Sequence, residues 1–147
     1  MLKFLVINGP NLNMLGIREK QIYGTQNYAA LVDFIRECGQ QLNVETDVFQ
    51  SNHEGAIVDR IQAAYGTADG IVINPAAYTH TSVAILDALK AVSLPAVEVH
   101  LSDIYQREEF RHISYPSKAC LTSFYGFGFD GYRKALFFLK EHCIKQT

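Results

Sequence analysis

Three short apolar runs end abruptly in polar clusters, and those clusters hold the residues most able to do chemistry. Asn8-Gly9-Pro10-Asn11 follows Leu5-Val6-Ile7, Asn74-Pro75-Ala76-Ala77-Tyr78-Thr79-His80 follows Gly70-Ile71-Val72-Ile73, and His100-Leu101-Ser102-Asp103 follows Ala96-Val97-Glu98-Val99. Arg111 stands a little further on, and Arg18 and Tyr23 occupy the long connection after the first run. Together, Asn11, Asn74, His80, His100, Ser102, Arg111, Arg18 and Tyr23 make a set suited to binding anions and hydroxyls, with two candidate proton carriers. A tyrosine titrates near pH ~10, so acting as a base at neutral pH requires a cation beside it. Lowering it by about three units corresponds to about 4 kcal/mol of differential stabilisation, and Arg18 on the same connection can supply part of that. Glu98 and His100 are two apart and share one side of a strand. A carboxylate so placed can fix an imidazole's tautomer and favour its charged form for general-acid work.

These clusters must be brought together by the elements that precede them. Apolar runs of this length, separated by helical patterns, read as buried parallel strands. Open parallel sheets bind ligands outside the carboxyl ends of their strands. Residues 2–7 read as the first strand. Tyr28, Leu31, Val32, Ile35 and Leu42 mark a first helix broken around Gly39, and Val44 to Phe49 a second strand. Ser51-Asn52-His53-Glu54 has capping-box spacing before a helix whose inward face is Ile57, Ile61 and Ala64. Ile71 to Ile73 is a third strand, and Val83, Leu86, Leu89 and Val92 describe a third helix bounded by Pro95. The fourth strand follows directly, and Ile104 to Arg111 has room for one or two helical turns. Ala119 to Tyr125 is a fifth strand and Tyr132 to Ile144 a final amphipathic helix. This order predicts an α/β, flavodoxin-like, doubly wound five-stranded parallel sheet in three αβα layers, because parallel strands need crossover helices.

Composition narrows the function. With 147 residues and 48% hydrophobic content, the chain is expected to form one domain, 1–147, with a real core. Thirteen basic against fifteen acidic residues, a formal charge of -2, gives no basic stripe for a phosphate backbone, so nucleic acid is not expected as a partner. The first apolar run meets Asn8 and Pro10 too soon for a signal sequence or membrane span, so a cytoplasmic protein is expected. Cys38, Cys120 and Cys143 are widely spaced and read as reduced structural thiols.

Several motifs suggest other chemistry and do not carry it. Gly126-Phe127-Gly128-Phe129-Asp130-Gly131 matches a dinucleotide fingerprint literally, but it sits in the last unit, with no following strand to bear the acidic residue. It reads instead as a tight turn that lets the last helix pack closely. Asn8 and Asn74 stand where a receiver domain needs acids for magnesium, and Asn8 to Asn13 is a poor phosphate cradle for FMN. No histidine pair has ligand spacing, so no metal is expected.

The blocks Asn8-Gly9-Pro10-Asn11-Leu12-Asn13, Leu15-Gly16-x-Arg18-Glu19 to Tyr23-Gly24, Gln50 to Gly55, Asn74 to Ser82, Glu98 to Ser102, and Phe110-Arg111-His112 to Ser114-Tyr115 together resemble type II 3-dehydroquinate dehydratases over essentially the whole chain. The resemblance implies cofactor-free loss of water from 3-dehydroquinate through an enolate. It implies Tyr23 as the base, Arg18 as the group that keeps it ionised, and Asn11 as the residue orienting a water at the enolate oxygen. His100, held by Glu98, becomes the general acid. Asn74 and the backbone amides of Leu101 and Ser102 receive the substrate carboxylate, and His80 and Arg111 the ring hydroxyls. A dodecamer built from trimers is also implied, with Asp87 reaching a neighbour's site. The residue types agree with this chemistry: a proton beside a ketone yields to a phenolate once the enolate is stabilised. No lysine ends the third or fourth strand to form an imine. The chain departs from the family pattern at Lys20, Ile113, Pro116, Lys118 and Thr122. Two other readings of the pocket are a non-catalytic flavodoxin-like binding module and an FMN-binding electron carrier.

Overall fold

A strand that is apolar on both faces must be covered on both, and the chain meets that requirement by winding helices around one sheet. The computed structural model describes residues 1–17 and 26–146. Five strands, β1 (Lys3–Asn8), β2 (Glu45–Gln50), β3 (Gly70–Asn74), β4 (Ala96–His100) and β5 (Thr122–Tyr125), form a parallel sheet in the order β2-β1-β3-β4-β5. Among the described residues, four α-helices flank it: α1 (Tyr28–Leu42), α2 (Glu54–Ala63), α3 (Val83–Val92) and α4 (Asp130–Lys145).

Side-chain alternation assigns the layers. Phe4 and Val6 of β1, with Val72, Val97 and Val99, pack with Leu31 and Ile35 of α1 and Leu136 and Leu139 of α4. Leu5 and Ile7, with Ile71 and Ile73, face the other way, onto Ile57 and Ile61 of α2 and Ile85 and Leu89 of α3. Most of these side chains are wholly buried. The doubly wound three-layer fold is therefore as expected. From β1 the chain steps outward to β2, then returns across β1 to β3, so the direction of winding reverses between β1 and β3. Loops leaving adjacent strands there diverge to opposite faces and open a crevice.

Local details differ from the sequence reading in instructive ways. Helix α1 is continuous through Gly39 rather than broken there. The glycine serves packing: a Cβ at Gly39 would lie 2.8 Å from Thr46 Cγ2, so its absence lets α1 approach β2. The expected capping box at Ser51 and Glu54 does not form. Glu54 opens α2 and His53 caps it without a side-chain bond, while Ser51 Oγ accepts from the His53 amide 3.0 Å away. Val83 is half exposed rather than inward, and Ile85, Leu86 and Leu89 form the buried face of α3. The fifth strand begins at Thr122, because Pro116–Ala119 is drawn into a 3-10 turn. The segment after β4 holds two 3-10 turns, Ile104–Gln106 and Glu109–Arg111. At the glycine turn before α4, Gly126 and Gly128 have φ of 86° and 58°. A Cβ at Gly131 would press on Val99 Cγ1 at 3.3 Å, which fits the expected close packing of the last helix.

At the reversal point, the loops after β1 and β3 touch. The Gly9 amide donates to the Asn74 carbonyl at 2.8 Å, and a Cβ on Gly9 would lie 2.5 Å from the Pro75 carbonyl oxygen and 2.7 Å from its carbon. Backbone atoms on both sides leave no flexible group to move aside. Gly9→Ala is expected to lower stability by about 1–3 kcal/mol, the usual cost of overpacking, and to displace the β1 loop. Denaturant unfolding of the variant checks this, and an unchanged midpoint would contradict it.

Candidate active site

The polar clusters identified in the sequence converge at the carboxyl ends of β1, β3 and β4. Among the described residues, a cavity of about 250 Å³ is lined by Asn11, Asn74, His80, His100, Leu101, Ser102 and Arg111, together with apolar residues such as Leu15 and Ile104. Seven of the residues singled out in the sequence thus share one crevice. Glu98 lies in β4, two residues before His100. Asp87 is exposed on α3 and is not part of this lining. Arg18 and Tyr23 fall outside the described residues.

Each side chain is held by its element. Asn11 adopts a left-handed backbone, φ 70°, a conformation asparagine tolerates better than most residues. Its amide donates to Asn52 Oδ1 at 3.0 Å. Gln50 Nε2 donates to the Gly9 carbonyl and to Asn52 Oδ1, both at 3.1 Å, and Tyr78 donates its hydroxyl to the Asn52 carbonyl at 2.8 Å. The loops after β1, β2 and β3 are therefore tied together, and Tyr78 works as a brace. Asn74 is 3% exposed. Its Oδ1 accepts from the Ala76 amide at 3.1 Å, and its Nδ2 donates to the Tyr132 hydroxyl at 3.0 Å. Ala76, at φ 51°, is a non-glycine residue in a strained region at the crevice wall.

Charge in the site is organised around Glu98, which is 1% exposed. Burial alone would raise its pKa, but His100, with the hydroxyls of Ser114 and Ser123, outweighs burial and holds the carboxyl below the usual range. Ser123 Oγ donates to Oε1 at 3.0 Å, and Ser114 Oγ makes a short hydrogen bond to Oε2. His100 Nε2 lies 3.2 Å from Oε2 without the alignment of a hydrogen bond. Cys120 lies near the same carboxylate. Burial, with Glu98 adding to it, pushes its thiol up to about 12, so it is protonated at neutral pH, as its structural reading requires.

His80 is set up differently. Its Nδ1 lies 2.7 Å from the Ile113 carbonyl, which can only accept, so Nδ1 carries the proton and Nε2 is the acceptor in the neutral ring. Arg111 donates through Nε to Glu108 Oε1 at 3.1 Å and stacks over the Phe110 ring. Arg107 also lines the crevice.

Several functional neighbours carry no assigned role in the sequence pattern, although Gln50, Asn52 and Ser114 fall within its matching blocks. Gln50 ends β2 and Asn52 follows it, much as the other clusters end or follow their strands, so strand-end position could have marked them. Ser114, Ser123 and Tyr132 are distant in sequence from what they touch, so no local pattern marks those contacts.

Burial lowers the His80 pKa, and His100 and Arg111 lower it further against the raising effect of the Ile113 carbonyl. The ring is therefore expected to titrate below the ordinary imidazole value of ~6.5, with its proton on Nδ1. Between those two values the unfolded chain binds a proton that the fold excludes. The stabilising contribution is complete above ~6.5 and is lost as pH falls through the folded value. Nuclear magnetic resonance of the His80 ring checks this, and a midpoint at or above the ordinary value would contradict it.

The comparisons with known proteins agree with this geometry. The family described as Dehydroquinase class II matches residues 2–140. The 3-dehydroquinate dehydratase of Caldicellulosiruptor saccharolyticus is 57% identical over 142 residues, covering 96% of this chain and 98% of the relative. That of Clostridium perfringens strain SM101 is 55% identical over 142 residues, covering 96% and 97%. The crystal structure of type II dehydroquinase from Butyrivibrio crossotus superposes with a TM-score of 0.92 at 55% identity, covering 95% of this chain and 97% of that one. With its winding reversal, its crevice and this likeness along nearly its full length, the chain belongs to the class II dehydroquinase family.

Proposed function

We propose that this chain is a 3-dehydroquinate dehydratase, a hydro-lyase that forms 3-dehydroshikimate without a cofactor, by way of an enolate. The substrate is a β-hydroxy ketone whose leaving hydroxyl shares its carbon with the carboxylate. The reaction therefore needs a base for the proton beside the ketone, stabilisation of the enolate oxygen, and an acid for the hydroxyl. The observation that carries this reading is His100, which lines the same crevice as Asn74, His80 and Arg111 and is backed by the buried Glu98.

The steps balance within the chain's own residues. Tyr23, as phenolate, takes the proton from the carbon beside the ketone, and the electron pair moves onto the carbonyl oxygen. Arg18 keeps the phenol ionised. A guanidinium does this better than an ammonium, because it is planar and always charged. Asn11 orients a water towards the enolate oxygen. The enolate then collapses: the carbon–oxygen bond to the hydroxyl breaks, and His100, held beside Glu98, delivers the proton that completes water. Asn74 and the backbone amides of Leu101 and Ser102 hold the carboxylate. His80 accepts from a ring hydroxyl through Nε2, and Arg111 donates to another. The assignments of Tyr23 and Arg18 rest on the sequence pattern.

Residues 1–147 act as one domain in this reading, and the working form is a homo-oligomer, a dodecamer built from trimers. Asp87 completes a neighbour's site from its exposed position on α3. Among the described residues no helix is long and apolar enough to cross a membrane, and we assign the protein to the cytoplasm.

Incubation with 3-dehydroquinate is expected to produce the ultraviolet absorbance of a conjugated enone. Tyr23→Phe, which keeps the ring but removes the proton acceptor, is expected to lower kcat by about 10²–10⁴ with little change in KM. Turnover near that of the unsubstituted protein would remove Tyr23 from the role. Light scattering is expected to show a particle far larger than 16.5 kDa, with Asp87→Ala impaired in catalysis at unchanged particle size. A fully active monomer would contradict the shared site.

A further inference from the structure

We propose that Tyr132 is a positioning residue for the reaction: its buried hydroxyl fixes which way the Asn74 amide faces, and so aims one Nδ2 hydrogen of Asn74 at the crevice. The inference rests on the reading of Asn74 as a substrate contact and goes beyond it, because Tyr132 lies in α4 and is absent from the cavity lining.

The direction of the network follows from one group that cannot reverse. The Ala76 backbone amide can only donate, so the Asn74 atom 3.1 Å from it is the carbonyl oxygen Oδ1. Nδ2 is then on the opposite side, 3.0 Å from the Tyr132 hydroxyl, and donates to it. Having accepted from Asn74, that hydroxyl sends its own hydrogen to Asn8 Oδ1, 2.6 Å away. Asn8 Nδ2 is left facing the Tyr28 hydroxyl at 3.3 Å. Four bonds therefore run in one sense, from the β3 loop through α4 and β1 to the start of α1.

Burial makes the arrangement costly to disturb. Asn8 and Tyr132 are wholly buried and Asn74 nearly so, and a flipped Asn74 amide would set Nδ2 against the Ala76 N–H, donor facing donor. Asn8 and Asn74 are register partners on β1 and β3, so one hydroxyl ties together the two strand ends that flank the winding reversal. Nδ2 carries two hydrogens, and Tyr132 takes one. The other belongs to a side chain that lines the crevice, where it suits a carboxylate oxygen.

The test compares Tyr132→Phe, Asn74→Ala and the double variant by steady-state kinetics. Tyr132→Phe keeps the ring in the core and removes the hydroxyl. It is expected to raise KM for 3-dehydroquinate about tenfold while kcat changes less than about threefold. Asn74→Ala is expected to raise KM at least as much, and Tyr132→Phe is expected to add nothing in its background. A raised KM in Asn74→Ala with an unchanged KM in Tyr132→Phe would overturn the positioning role alone, as would additive effects in the double variant. An unchanged KM in Asn74→Ala would overturn both the substrate contact and the inference built on it. Should Tyr132→Phe fail to fold, the unsubstituted protein still decides the matter through the Asn74 side-chain amide resonances. One Nδ2 proton is expected to exchange slowly with solvent and the other to shift on titration with quinate. Equal exchange of the two, or no shift with quinate, would overturn the proposal.

Discussion

Parallel pairing of β1 with β3 sets Asn8 beside Asn74 at the point where the chain reverses its winding, and the crevice depends on that register. A slip of β1 by one residue would turn the Asn8 amide to the opposite face of the sheet from Asn74, because side chains alternate with a period of two. The apolar alternation beneath prevents it: Leu5 and Ile7 are committed to α2 and α3, Phe4 and Val6 to α1 and α4. Core packing therefore decides where the polar strand ends emerge. The close approach of Gly9 to Pro75 then decides how near the two loops come.

Two buried polar centres occupy opposite faces of that frame, and they are built for different tasks. The Asn8, Tyr132 and Asn74 cluster is neutral, and its value is directional: each partner's donor and acceptor sense is dictated by the last. The Glu98 centre is electrostatic. Ser114 and Ser123 reach it from the segments after β4, so the carboxylate is satisfied from two directions while His100 stands on a third. Removing a partner from such a group leaves a buried charge uncompensated, which costs more than the pair itself contributes. The geometry suits a site that must hold an anionic, hydroxylated ring and handle a proton at its edge.

The fold was legible in the sequence because apolar runs covered on both faces look unlike any amphipathic strand, and their abrupt polar ends marked the crevice. Asn74, His100 and His80 could be found for the same reason, since the first two end strands and the third lies in the loop after one, and Arg111 stands in the segment after β4. What stayed hidden depends on contacts between distant segments. Gly39 reads as a helix breaker until Thr46 is seen to need its missing side chain. Ser51 reads as a helix cap until its own amide neighbour claims it. Tyr132 reads as one more apolar position on the face of α4, and only the pairing of β1 with β3 gives its hydroxyl two amides to join.

The most direct test of the proposed chemistry is the structure of the protein with a bound planar-ring analogue of the enolate, carrying the substrate's carboxylate and ring hydroxyls. The account requires the carboxylate within hydrogen-bonding distance of Asn74 Nδ2 and the backbone amides of Leu101 and Ser102, a ring hydroxyl at His80 Nε2, and the carbon that loses its hydroxyl facing His100. An analogue bound outside this crevice, or bound in it with its carboxylate turned away from Asn74, would contradict the account.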